Sequence, residues 1–202
     1  MPHTRISEIW AIILAAGESK RMKVPKMLLP FDGKTMIEKT ITNIINSEVF
    51  NTLVVLGSFR DEICGAIRHL PVIACFNDKY REGMLSSVQC GLRNIHGSAG
   101  AVLIIPGDQP LIEPAVINRV IGAYRRSKKG IVMPVFKGKR GHPLLVDKKY
   151  FEEIKSYGKN EVLRSLARIH KDDILEVSVN TAAILKDFDT KEDYLIEINK
   201  MK

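Results

Sequence analysis

Four cationic side chains, Lys20, Arg21, Lys23 and Lys26, fall within seven residues directly after the apolar run Ile9–Ala16 ends at Gly17. Cations in a loop that follows an apolar strand have two readings, a solvated basic turn or an anion site. Leu14, Ala15, Ala16 and Gly17 favour the second, because three small residues let backbone amides approach a ligand closely. The Arg21 guanidinium offers a fork of donors that matches phosphate oxygens, and Lys26 offers a compact point charge. Neither standard phosphate loop is present. No G-x-G-x-x-G occurs, and Gly33-Lys34-Thr35 ends like a Walker A motif but has Leu28 where that motif needs its first glycine.

Acids recur at two further places. Asp108 lies in Ile104-Ile105-Pro106-Gly107-Asp108-Gln109-Pro110, at the end of another apolar run. A carboxylate there serves either as a turn or capping residue or as a ligand to Mg²⁺, an ion that takes few protein oxygens and shares substrate phosphates. Asp187 and Asp189 flank Phe188 just before a helical stretch. They read as capping and dipole-compensating groups, or as a second carboxylate on the same metal.

The elements that must position these groups are legible as alternating apolar runs and helical spacings. Strands are expected at Trp10–Leu14, Thr52–Leu56, Val72–Phe76 and Ala101–Ile105, with helices over Met36–Ser47, Arg60–His69 and Met84–Ile95 between them. Continuous apolar strands that alternate with helices predict an α/β fold with a mostly parallel sheet. Ligands of such sheets bind beyond the carboxyl ends of the strands, where the basic loop and Asp108 both fall. Further on, a helix is expected over Ala115–Arg126 and strands at Gly130–Val135 and His142–Val146. Short helices follow at Tyr150–Ser156 and Asn160–Ile169, then strands at Ile174–Val179 and Ala182–Leu185. A last helix runs over Thr190–Asn199, capped by Thr190 with Asp193 as its reciprocal partner. Phe31-Asp32-Gly33-Lys34 reads as a turn. One domain over 1–202 is expected, with a small lobe around 137–180 over the ligand edge.

Composition narrows the function. The chain has 202 residues, 45% hydrophobic, and a net charge of +8. That charge suits nucleic acid, acidic membrane or small polyanions, but aromatics are only 6%, and no basic-aromatic interleaving suggests a base-stacking platform. No apolar run approaches the roughly 20 residues that span a bilayer, and the polar stretch Met1–Glu8 does not read as a signal peptide. The three cysteines, Cys64, Cys75 and Cys90, form no metal-type spacing and read as reduced thiols of a cytoplasmic protein. Neither nucleic acid nor membrane is expected as a partner.

The segments "LAAGESKRM…PKMLLPFDGKTMIEKTI", "NDKYREGMLSSVQCGL", "IIPGDQPLI", "KGKRGHPLLVDKKYFEEI" and "DFDTKEDYL" occur in the order seen in small-molecule nucleotidyltransferases. Over nearly the whole chain the sequence resembles the molybdenum cofactor cytidylyltransferases, relatives of the guanylyltransferases that act on the same cofactor. The resemblance implies a Rossmann-like three-layer fold and transfer of CMP from CTP to the phosphate of a molybdopterin-type acceptor, with release of pyrophosphate. It implies backbone contacts to nucleotide from Leu14, Ala15, Ala16 and Gly17. Arg21 and Lys26 would hold triphosphate oxygens, and Gly83, Ser86 and Ser87 would lie near base or ribose. Arg140, Gly141, His142 and Pro143 would face the acceptor. Asp108 would bind Mg²⁺, with Asp189 as second ligand and Asp187 close behind. A client molybdoenzyme or its chaperone would be a further partner. Two departures stand out. Lys23 replaces a frequent glycine, and Gly158-Lys159-Asn160-Glu161-Val162-Leu163-Arg164 replaces a frequent Gly-Asp-x-Gly-Ala-Arg, which puts the acceptor in question. Transfer of another nucleotide, another phosphorylated acceptor, or a non-catalytic nucleotide-binding chaperone are the rival readings.

Overall fold

The computed structural model describes residues 8–22, 24–97, 99–159 and 161–200; Lys23 and Asn160, both singled out above, lie outside the described residues. The strands are β1 (Glu8–Ala15), β2 (Pro30–Phe31), β3 (Lys34–Thr35), β4 (Asn51–Leu56), β5 (Ile73–Phe76), β6 (Ala99–Pro106), β7 (Ile131–Phe136), β8 (Lys139–Arg140), β9 (Leu144–Asp147) and β10 (Ile174–Ser178). The helices are α1 (Met36–Ile45), α2 (Arg60–Ile67), α3 (Met84–Asn94), α4 (Pro114–Arg126), α5 (Phe151–Ser156), α6 (Arg164–Ile169) and α7 (Lys191–Lys200).

One eight-stranded sheet runs in the order β10-β7-β9-β6-β1-β4-β5, with β8 paired to β7. The pairs β1–β4, β1–β6, β4–β5 and β7–β10 are parallel, whereas β9 runs antiparallel to both β6 and β7. The mostly parallel α/β sheet expected from the sequence is therefore present. Residues 137–180 supply β9 and β10 to this sheet.

The central strands are apolar throughout because both faces are covered. Along β1, Ile9, Ala11, Ile13 and Ala15 point to one core with Ile37 and Ile41 of α1, Ile63 of α2 and Ile117 and Val120 of α4. Trp10, Ile12 and Leu14 point to the other, with Val88 and Leu92 of α3, Ile154 of α5 and Leu166 of α6. Each fully buried aliphatic side chain contributes about 1.5–3 kcal/mol, so β1 is the most firmly held platform for whatever follows it.

Local chemistry sets the shorter pieces. Asp32 (φ 51°) and Gly33 (φ 72°) form the two-residue turn joining β2 to β3, both left-handed as a tight hairpin requires. The Thr190 hydroxyl accepts from the Asp193 N–H at 3.1 Å and the Asp193 carboxylate accepts from the Thr190 N–H at 3.0 Å, the reciprocal cap read from the sequence. Two expectations are corrected. Ala182–Leu185 is a 3-10 turn, not a strand. The Thr181 hydroxyl accepts from the Ala183 N–H at 3.2 Å and closes the turn, and the Ile184 carbonyl is taken by the His142 N–H at 3.0 Å. The helix expected over 160–169 begins only at Arg164.

Candidate active site

The carboxyl ends of β1, β4 and β6 lie side by side. The Leu14 carbonyl accepts from the Gly107 N–H at 2.9 Å, and the Ala16 carbonyl accepts from the Ser58 N–H at 3.2 Å. A Cβ at Gly57 would lie 2.8 Å from both Cβ and O of Ala16, so glycine is what allows the loops after β1 and β4 to touch. Gly17 is exposed, and a Cβ there would meet nothing within 4 Å. The backbone after β1 therefore opens onto free space at the ligand edge.

Four charged side chains from three separate segments form a chain above this edge. The Lys26 Nζ donates to Asp108 Oδ2 at 2.5 Å and to Asp189 Oδ1 at 3.1 Å, and Arg21 reaches Asp189 Oδ2 at 2.6 Å. The Lys26 and Asp108 side chains are 14% and 7% exposed, against 66% for Arg21. Arg21 and Lys26 belong to the same basic loop, but their exposure differs. Only Arg21 is exposed, because Asp108, fixed at the end of β6, draws the ammonium inward. Burial disfavours the Lys26 ammonium, but Asp108 and then Asp189 outweigh it and raise its pKa. Burial likewise works against the Asp189 carboxylate, and Lys26 and Arg21 overcome it and lower its pKa. Lys26 and Asp189 are thus both held in their charged forms at neutral pH.

Asp189 is delivered by the strap between β10 and α7. Phe188 is 2% exposed and packs edge-on against Phe31, ring centroids 5.6 Å apart. With Phe188 turned into the core, its neighbours on either side face the edge. Asp187 Oδ1 accepts from Gln109 Nε2 at 2.8 Å. Gln109 directly follows Asp108, so this bond ties the two acid-bearing loops together. Sequence reasoning missed Gln109, although its place beside Asp108 after a buried strand was the available signal.

A cleft of about 690 Å³ adjoins the charged chain. Its lining includes Arg140, Gly141, His142, Gln109 and Asp187 on one side and Leu163, Arg164, Ala167 and Arg168 on another. Pro143 is buried behind it. The His142 N–H donates to the Ile184 carbonyl at 3.0 Å, and a Cβ at Gly141 would sit 2.1 Å from the same oxygen. Gly141→Ala is therefore expected to force the strap away and to destabilise the protein by about 1–3 kcal/mol. Urea denaturation checks this, and an unchanged midpoint would contradict the packing described. Burial lowers the His142 pKa; Asp187 and Asp108 pull the other way without restoring it. Among the described residues, its Nδ1 and the Oε1 of Gln109, which is 2% exposed, are buried with no hydrogen-bond partner.

Residues 11–174 match the MobA-like NTP transferase domain. The chain belongs to this family. It is similar to the molybdenum cofactor cytidylyltransferase of Escherichia coli, 25% identical over 192 residues that cover 94% of this chain and 95% of that protein. It is also similar to a probable molybdenum cofactor guanylyltransferase of Natranaerobius thermophilus, 32% identical over 128 residues, 63% of this chain; here the chain spans only 60% of its relative's length. The crystal structure of Rv0371c from Mycobacterium tuberculosis superposes with a TM-score of 0.85 at 23% identity, covering 96% of this chain and 99% of that one. The same mycobacterial protein has been solved in complex with manganese.

The donor set suits a divalent cation in this MobA-like chain. Among the described residues no three His, Cys, Asp or Glu side chains cluster as a protein-only metal cage. Asp108 and Asp189 nevertheless converge on one point, the Lys26 ammonium. Two convergent carboxylates are what Mg²⁺ uses when phosphates and water complete its shell. Asp187 does not converge with them, being bonded to Gln109.

The residues expected near base or ribose fall elsewhere on the edge. Gly83 (φ 103°) precedes α3, and the buried Ser86 and Ser87 hydroxyls accept from Asn77 Nδ2 at 2.9 and 3.0 Å. Their visible work is to hold Asn77. Asn77, with Gly57, Ser58, Asp78 and Tyr80, lines a smaller cleft of about 370 Å³ beyond β4 and β5, beside the Ala16 loop. Asn77, Asp78 and Tyr80 lie in the quoted segment that begins at Asn77 but were given no role there, and Gly57 and Ser58 were not singled out; polar residues directly after the apolar runs ending at Leu56 and Phe76 were the signal.

Proposed function

We propose that this chain transfers CMP from CTP to the phosphate of a molybdopterin-type acceptor, with Mg²⁺, for eventual delivery to a molybdoenzyme or its chaperone. The observation that carries the reading is the chain Arg21–Asp189–Lys26–Asp108, set at the strand ends between a small polar cleft and a large cationic one. Base and ribose would enter the smaller cleft, and the acceptor the larger. The choice of cytosine is favoured by the likeness to the cytidylyltransferase, which extends over nearly both chains.

The chemistry requires charge control rather than proton transfer. An acceptor phosphate oxygen forms a bond to the α-phosphorus as the bond from that phosphorus to the bridging oxygen breaks. The electron pair leaves with pyrophosphate. The nucleophile is already anionic, so no base is needed. Lys26 and Arg21 would hold non-bridging oxygens, and Asp108 would keep the Lys26 ammonium aimed from below. An incoming triphosphate offers Lys26 an alternative anion and frees carboxylate oxygens of Asp108 and Asp189. Mg²⁺ held by those oxygens would supply Lewis-acid neutralisation of the phosphates. His142, kept neutral by burial, would line the acceptor cleft rather than take a proton.

Pyrophosphate release measured with each of the four common NTPs, with and without molybdenum cofactor, tests the proposal. CTP is expected to be the best donor, and release is expected to need the acceptor. Better use of GTP would favour the guanylyltransferase reading, for which the relative from Natranaerobius thermophilus speaks. Nucleotide binding without release would favour a non-catalytic delivery protein.

A further inference from the structure

Two of the three free cysteines lie close together. Cys75 Sγ on β5 and Cys90 Sγ on α3 are 3.9 Å apart. Cys75 is buried, whereas Cys90 is half-buried and so the more open to small solutes. The Cys90 thiol donates to the Phe76 carbonyl at 3.4 Å. Burial, with Cys90 adding to it, pushes the Cys75 pKa up to about 12, so Cys75 stays a protonated thiol at neutral pH. Cys64 packs against the core on the opposite face of the sheet and is no part of the pair.

The pair repeats, one step into the sheet, the contact that holds Asn77. Residues two apart on a strand share a face, as do residues four apart on a helix. Asn77 continues β5 by one residue, its N–H donating to the Leu56 carbonyl at 2.8 Å. Cys75–Cys90 and Asn77–Ser86 are therefore successive contacts between the same strand and the same helix, and Asn77 lines the smaller cleft. A disulfide holds its sulfurs about 2.0 Å apart, so forming one here draws together sulfurs now at 3.9 Å. β5 is an edge strand of the sheet, held by a neighbouring strand on one side alone, and yields more readily than the central strands. Turning Cys90 toward Cys75 also takes its thiol from the Phe76 carbonyl, the peptide group that leads into Asn77.

Resting on the placement of base and ribose in the smaller cleft, we propose that Cys75 and Cys90 are a peroxide-sensitive pair whose reversible disulfide shifts Asn77 and weakens nucleotide binding. The Cys90 sulfur attacks hydrogen peroxide; an S–O bond forms, the O–O bond breaks and water leaves, giving the sulfenic acid of Cys90. The Cys75 sulfur then attacks the Cys90 sulfur. An S–S bond forms, the S–O bond breaks, and the Cys75 proton leaves with the oxygen as a second water. The two thiols lose two electrons, and the peroxide gains them. A dithiol reductant reverses the bond by exchange.

The test treats the full chain with one equivalent of hydrogen peroxide. Free thiols are expected to fall from three to one, and tryptic digestion is expected to join residues 69–79 to residues 82–93, leaving Cys64 alone in residues 61–68. Calorimetric titration with CTP and Mg²⁺ is expected to show about tenfold weaker binding after oxidation, the scale of one lost hydrogen bond, with recovery in dithiothreitol. Cys90→Ser and Cys75→Ala are each expected to bind CTP as the reduced wild type does and to ignore peroxide. Three thiols left after treatment, a link through Cys64, or unchanged CTP affinity in the linked protein overturns the proposal. Failure of the reduced chain to bind CTP would count against the nucleotide reading alone. Hydrogen exchange over residues 77–87 then decides the switch: faster exchange on oxidation supports it, and unchanged exchange overturns it.

Discussion

Lys26→Ala is expected to lower the single-turnover rate by about 10²–10³, the effect of removing one preorganised charge-stabilising group, or about 2.7–4 kcal/mol of transition-state stabilisation. The same change is expected to reduce stability. Lys26 is the close partner of Asp108, a carboxylate only 7% exposed, and stranding a buried charge costs about 3–5 kcal/mol. The loss should sit near the lower bound, because Arg21 still covers Asp189. Arg21→Ala makes the informative contrast. Its side chain is 66% exposed, so its ion pair contributes about 0–1 kcal/mol to folding, and its rate loss should appear with an almost unchanged urea midpoint. Denaturation and single-turnover kinetics on both variants check the pair. Wild-type rates in both would remove this loop from the reaction.

The second large effect concerns metal dependence. Asp108→Asn and Asp189→Asn are each expected to raise the Mg²⁺ concentration for half-maximal rate by about tenfold or more, the low end of what disturbed metal sites lose. Both carboxylates meet at the same ammonium, at 2.5 and 3.1 Å. Asp187→Asn is expected to do much less, since an asparagine oxygen can still accept from Gln109, which is the contact Asp187 makes. Mg²⁺ titrations at saturating CTP rank the three variants. If Asp187→Asn proved the most damaging, the pairing of Asp108 with Asp189 would be the wrong metal set.

The sheet was legible because its strands are buried on both faces: Ile9–Ala15 and Ala99–Pro106 are apolar at nearly every position, a pattern helices of this length do not need. The basic loop and Asp108 were legible because each directly follows such a run. What the sequence hid was depth and partnership. Lys26 and Arg21 look alike in a charged loop, and only the third dimension puts one of them between two acids. Ser86 and Ser87 were read as lying near base or ribose, and the sequence could not show that their hydroxyls accept from Asn77, which follows β5. Ala182–Leu185 has a strand's apolar composition, but the Thr181 hydroxyl turns its backbone back on itself. Arg168 was unread because it gains meaning only from the cleft that it borders.

The reversed direction of β9 bears on how this scaffold could be redesigned. In a purely parallel sheet, residues that reach the ligand edge come after strands, as Gly17, Gly57 and Asp108 do. Because β9 runs the other way, the residues that reach this edge come before it, which is how Arg140–His142 arrive beside Gln109. Loop grafting that exchanges only the segments following strands would retain the old acceptor contacts. A library meant to change the acceptor should instead vary Arg140 and His142 in the segment leading into β9 and keep Gly141, where any Cβ would meet the Ile184 carbonyl.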